Sequence, residues 1–191
     1  MFERALDFVL KHEGGYTNNY HDRGNWTGGA VGKGERKGTN MGISAASYPK
    51  LDIKNLTRDQ VSAIYYRNYW LASGAAKLSP GLALTIFDIA VNMGVGRARN
   101  WLTSVKGRSN VIEQIKRLTE LRCNFYAQLD HLDDLYGKGW YRRVVDCYHE
   151  ALTMELFNDL RGKRLVIDNE PARYIEAASL VGDKLYIRKR R

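Results

Sequence analysis

The chain has 191 residues, 44% hydrophobic and 27% charged, with a net charge of +9. That is enough for one medium domain with a core that needs no disulfide staples. No apolar run approaches the ~20 residues of a membrane-spanning helix, and the charged N-terminus MFERALDFVLKH lacks the apolar segment of a signal peptide. A cationic chain is drawn to polyanions: nucleic acid, anionic lipid and bacterial cell wall all qualify. The charge is uneven. Residues 161–191 hold nine Lys/Arg against four Asp/Glu, a +5 tail ending in Arg188–Arg191.

In chain order, residues 2–13 read as an amphipathic helix with Phe2, Ala5, Leu6, Val9 and Leu10 on one face. Residues 14–42 contain nine of the 18 glycines, so turns and a small hairpin are expected, anchored by Tyr16, Tyr20, Trp26, Val31 and Met41. An anchored loop of this length inside a compact domain is usually functional. Thr57-Arg-Asp-Gln60 is a capping-box pattern opening a helix to about Leu71. Ser79-Pro80 is an N-cap with proline at the first helical position. The helix it starts, about 80–93, is apolar nearly all round and is expected to run through the core. Further helices are expected at about 97–105, 109–135 and 140–160. Beyond Gly162 lie a strand-like LVI, a helix candidate after Pro171 and a strand-like KLYI. The fold class is mainly α, with a Gly-rich loop or small β-hairpin. Cys123 and Cys147 show no CxxC or metal spacing and are expected as buried free thiols; the four histidines form no ligand pair. No metal and no organic cofactor is expected. VGKGERKG lacks the GxxxxGK[ST] spacing of a phosphate loop.

The stretch KHEGGY, residues 11–16, puts Glu13 at the end of the first helix, against a Gly-Gly break. A carboxylate is disfavoured at the negative end of a helix. That position, with partial burial, is expected to favour the protonated form a general acid needs, while Lys11 and His12 push the other way. Asp22, Thr27 and Thr39 follow in the folded-back loop. Glycosidic cleavage commonly pairs an acid with a carboxylate or polar group that holds water, a role open to Asp22 and Thr39. Asp22 fits equally well as an Asx-turn residue before Arg23-Gly24. Trp26 is a candidate sugar-stacking residue. Tyr65 and Trp70 are expected in the core. Asp88 is expected to orient the Gly-rich loop, and Asn92, near its helix end, to reach the glycan.

KHEGGY, DRGNWTGG…KGTNMGIS, IYYRNYW and FDIAVNMG occur in that order and together resemble glycoside hydrolase family 108, the EGGY-type N-acetylmuramidases. The resemblance implies a lysozyme-like helical fold that cuts the β-1,4 bond between N-acetylmuramic acid and N-acetylglucosamine, with Glu13 as the essential acid. The Glu…Asp…Thr order is also similar to that of phage-type lysozymes, which assigns Asp22 and Thr39 as further catalytic groups. Tyr16, Trp26, Asn40, Tyr69 and Asn92 are the substrate-binding candidates. LTELRCNFYAQL…GKGWYRRVVDCYHEAL resembles the family's predicted peptidoglycan-binding region, with Trp140, Arg142 and Arg143 on its Gly-Trp-x-x-Arg element. Residues 101–110 depart from the pattern by lacking an Asp-Gly pair.

The expected organisation is a catalytic region over 1–100, a helical region over 101–162 packed into the same core, and a basic tail over 163–191. The expected protein is a monomeric peptidoglycan hydrolase made in the host bacterial cytoplasm, a phage endolysin released with a holin-type partner. Its tail would favour anionic wall or outer-membrane polymers, and no specific nucleic acid is expected. Two alternatives stand: a virion- or secretion-associated muramidase, and a non-catalytic cationic wall binder.

Overall fold

The computed structural model describes residues 1–108, 110–129 and 138–160, and the strands 175–181 and 184–189. Among the described residues six α-helices carry the fold: α1 (Phe2–His12), α2 (Arg58–Tyr65), α3 (Pro80–Met93), α4 (Val95–Val105), α5 (Val111–Ala127) and α6 (Lys138–Leu160). The glycine-rich segment holds a minimal antiparallel hairpin, β1 (Thr39–Asn40) and β2 (Ile43–Ser44), with Thr39 opposite Ser44 and Asn40 opposite Ile43. A second antiparallel pair, β3 (Ile175–Val181) and β4 (Lys184–Lys189), runs from Ile175 opposite Lys189 to Val181 opposite Lys184. No helix among the described residues is long and apolar enough to cross a membrane.

The fold is mainly α and lysozyme-like, as the periodicity and the resemblance imply. α3 is its axis: ten successive residues, Gly81–Ala90, are buried. They pack against α1, α4, α5 and α6. One hydrophobic cluster runs from Ala5 to Met154, taking in Leu6, Val9, Ile86, Phe87, Leu102, Ile115, Leu118 and Cys147. The helices after residue 100 therefore share a core with those before it. Both cysteines are free, and Cys147 is buried.

Four boundaries differ from the sequence reading. α1 stops at His12, leaving Glu13 as an extended C-cap residue (φ −92°, ψ 141°) instead of a member of the last turn. The capping box of Thr57 and Gln60 forms, but α2 gives way at Tyr66 to a π-helical stretch through Leu71. The wider turn keeps Trp70 buried and its ring 5.4 Å from that of Phe87. α5 ends at Ala127; Leu132 lies outside the described residues. The helix candidate after Pro171 is instead strand β3 from Ile175, where β-branched and small residues outweigh one Glu; the LVI segment lies outside the described residues.

α3 begins in a way the Ser-Pro signal only half conveys. Ser79 is the N-cap residue, but its side chain caps nothing on its own helix. Its hydroxyl donates to Glu155 Oε1 at 2.6 Å, and the same oxygen accepts from the backbone N–H of Gly81 at 2.7 Å and of Leu82 at 3.1 Å. The positive end of α3 is thus satisfied by a buried carboxylate from α6. Gly81 permits this closeness, because a Cβ there would collide with the Ala151 carbonyl. Glu155→Ala is expected to strand three donors and cost about 3 kcal/mol in stability, read by urea denaturation. A loss near zero would show that this carboxylate does not fasten α6 to α3.

Candidate active site

The backbone around Glu13 is set by the hairpin. Two residues, Met41 and Gly42, connect β1 to β2, with φ of 47° and 76°. A two-residue turn with positive φ at both positions matches the right-handed twist of the strands. Glycine adopts it freely, whereas Met41 is strained there. Four hydrogen bonds hold this tip and its strand in place. Met41 N–H donates to the Gly14 carbonyl at 3.1 Å, the Tyr65 hydroxyl donates to the Met41 carbonyl at 3.0 Å, and Thr17 and Thr39 exchange backbone bonds at 2.8 and 2.9 Å. The fit leaves no room for a side chain at Gly42: a Cβ would meet the Tyr65 hydroxyl and come within 3.0 Å of Glu13 Oε2.

Glu13 is one-fifth exposed. Its Oε1 accepts from Arg143 Nη1 at 2.9 Å. Arg143, 7% exposed, also reaches Asp88 Oδ1 through Nε at 3.0 Å and Nη2 at 2.9 Å. Asp88 Oδ2 lies 2.7 Å from Arg122 Nη1, with both residues buried. The chain Glu13–Arg143–Asp88–Arg122 joins the end of α1 to α6, α3 and α5. Burial alone would raise the pKa of Asp88, but the Arg122 and Arg143 guanidiniums overcome it and hold the carboxyl below its ordinary value. The expected role of Asp88 in orienting the Gly-rich loop is corrected here: its two oxygens face arginines from the second half of the chain.

The candidate second groups meet at Asn25. Asp22 Oδ1 accepts from Gly24 N–H at 2.8 Å, the Asx-turn geometry, and heads a single 3₁₀ turn over Arg23–Asn25. The fully buried Asn25 receives the Thr39 hydroxyl on Oδ1 at 2.8 Å. Asp22 and Thr39 are thereby linked through Asn25, whose backbone N–H also donates to the Asp22 carbonyl at 3.1 Å, and only Asn40 separates Thr39 from the Met41–Gly42 tip beside Glu13.

The binding candidates divide. Tyr16 is exposed, packed by its ring edge over Gly38. Trp26 is half-buried; its indole N–H donates to the Tyr20 carbonyl at 2.9 Å, and Arg36 lies over its ring. Asn40 is turned inward, its amide donating to the Ile53 and Lys54 carbonyls, both at 3.2 Å. Tyr69 lies in the π-helical stretch with its ring 5.4 Å from Tyr65; burial and the nearby Tyr48 and Glu13 raise its phenol pKa. Asn92 is exposed and accepts from the Tyr126 hydroxyl. It lines a cavity of about 680 Å³ between the end of α1 and the first turns of α6, together with Lys11, His12, Trp140, Arg142, Arg143 and Asp146.

Arg143 was visible in the sequence only as part of a Gly-Trp-x-x-Arg element, with no sign that it turns back across 130 residues to Glu13. Tyr65 and Gly42 were read as core and loop. A buried Asp on an otherwise apolar helix was the one available signal, since such a charge needs a cationic partner.

With the geometry established, comparison with known proteins adds a class. Residues 6–94 match the family Glycosyl hydrolase 108. The chain is also similar to the solved structure of Brucella abortus SagA, at 26% identity and a TM-score of 0.64 over 80% of this chain and 94% of that one. No curated protein matches. The matched family supports a glycoside hydrolase with peptidoglycan as its substrate.

Asp88→Asn is expected to leave the two buried guanidiniums short of charge and destabilise the fold by about 3–5 kcal/mol, measured by urea denaturation; a change under about 0.5 kcal/mol would contradict the network's role. His12 gives a pH signature. Burial, then the Arg143 charge, lowers its pKa from 6.5. The unfolded chain therefore takes up the proton first, and His12's contribution, complete above pH 6.5, is lost as pH falls below it. His12→Gln is expected to flatten the stability–pH curve in that window, read by thermal melts across the pH series; an unaltered slope would refute this assignment.

Proposed function

We propose that the protein is an N-acetylmuramidase that cleaves the β-1,4 bond between N-acetylmuramic acid and N-acetylglucosamine, with Glu13 as general acid. The observation that carries this reading is the placement of Glu13: a partly exposed carboxylate next to a strained hairpin tip, one oxygen fixed by a buried arginine and the other beside Gly42.

Oε2 is the oxygen offered to the glycosidic bridge. Sugar seated over a carboxyl removes water and favours its neutral form. When the proton passes to the leaving oxygen, Glu13 becomes a carboxylate, and Arg143 at 2.9 Å stabilises that product of the step. Asp22, with Thr39 set through Asn25, is the candidate for holding water or stabilising the oxocarbenium-like state on the opposite side. Tyr16, Trp26, Tyr69 and Asn92 are the candidates for lining the glycan path. For Asn40 the inward hydrogen bonds favour a role in seating the hairpin. Local wall opening of this kind fits a phage endolysin, which remains the setting proposed here.

Glu13→Gln is expected to lower turnover of purified peptidoglycan by at least about a thousandfold with little change in melting temperature. Mass spectrometry of the wild-type digest is expected to find muropeptides with reducing ends on muramic acid. Reducing glucosamine ends, or a fully active Glu13→Gln protein, would overturn the assignment.

A further inference from the structure

The cavity between α1 and α6 is not explained by acid catalysis. Glu13 is not among its lining residues, yet the two share a wall, because Arg143 lines the cavity and binds Glu13. At about 680 Å³ it has the size of a ligand site. Its charge is one-sided. Lys11 and Arg142 are exposed, and no ion pair within the described residues engages either. Against them stands Asp146, with His12 Nε2 3.8 Å from its Oδ2. One wall is rigid: the Trp140 ring stacks on Tyr126 at 4.9 Å and 15°, and Tyr126 donates to Asn92 Oδ1. With that oxygen occupied, what Asn92 has left to offer is its two N–H donors. The cavity therefore presents two cations, an amide donor and an aromatic face, a set suited to a short peptide bearing carboxylates.

We infer that this cavity binds the carboxylate-bearing peptide stem on the lactyl group of the muramic acid next to the bond cut at Glu13. The inference rests on the muramidase reading and deepens it. A muramic acid whose glycosidic oxygen lies at Glu13 carries its stem within a few bonds of that oxygen. The neighbouring cavity, reached past Arg143, is where such a stem can lodge. Lys11 and Arg142 pair with its carboxylates, and Trp140 covers its aliphatic part. Anchoring the stem fixes the sugar's register along the groove, so that a muramic acid and not a glucosamine presents its linkage to the acid.

The test uses the full-length protein and two substrates from one wall preparation: uncrosslinked glycan with its stems, and the same glycan after an amidase has removed them. The wild type is expected to favour the stem-bearing glycan by at least about tenfold in kcat/KM. In a Lys11→Gln/Arg142→Gln variant that ratio is expected to fall towards one, through a higher KM on the stem-bearing glycan. Charge reversal with Arg142→Glu is the second variant, expected to push the ratio lower than Arg142→Gln does. A wild-type ratio near one, or a ratio untouched by both variants, overturns the stem site while leaving the muramidase reading intact. No cleavage of either glycan by the wild type overturns the muramidase reading, and this inference with it.

Discussion

A single guanidinium ties the start of this chain to its far half. Arg143 holds Glu13 with one nitrogen and Asp88 with two others, and Asp88 is held from its opposite side by Arg122. In a nearly dry interior such charges are tolerable only as a complete set, because removing any member leaves another unpaired. The orientation of Glu13 therefore depends on α3, α5 and α6 being docked. Glu155 supplies the second fastening, capping α3 from further along α6. The family match ends at Gly94, yet Glu13 within it is held by an arginine 49 residues past that end. The likeness to SagA extends over more of the chain than the family match, in keeping with a site assembled from both halves.

The other half of the constraint is backbone. Tyr65 stands in the aromatic core beside Phe87, and its hydroxyl reaches out to the Met41 carbonyl. Core packing is thus transmitted to the hairpin tip, whose positive-φ turn would not otherwise suit Met41. Gly42 then lies against the free oxygen of Glu13 with no space to spare. A flexible glycine-rich segment becomes a fixed wall because three backbone hydrogen bonds and a phenol hold it.

The parts of the molecule legible in the sequence are those governed by local rules. The apolar run 80–93, the Thr57–Gln60 capping box and the glycine break at 94 mark helices that depend on periodicity and caps. Glu13 was also legible, since a carboxylate against a helix end and a Gly-Gly break is locally unfavourable and invites a reason. Arg143 was not, because its partner lies 130 residues away and no periodicity carries that pairing. The π-helical turn at Tyr66–Leu71 was hidden because it reflects how Tyr65 and Trp70 must both face the core. The Ser79 signal misled in its detail: the residue type marked the helix start correctly, while the true acceptor came from α6.

The central claim is that Glu13 offers Oε2 to a glycosidic oxygen while Oε1 stays fixed by Arg143. The most direct measurement is a crystal structure of the full-length protein with a bound, uncleaved glycan of alternating N-acetylglucosamine and N-acetylmuramic acid. The account predicts a glycosidic oxygen within about 3 Å of Glu13 Oε2, on the side of the muramic acid's anomeric carbon, with the Arg143 contact intact. A glycan seated with no bridging oxygen near Glu13, or one that draws Arg143 away from both carboxylates, would contradict it.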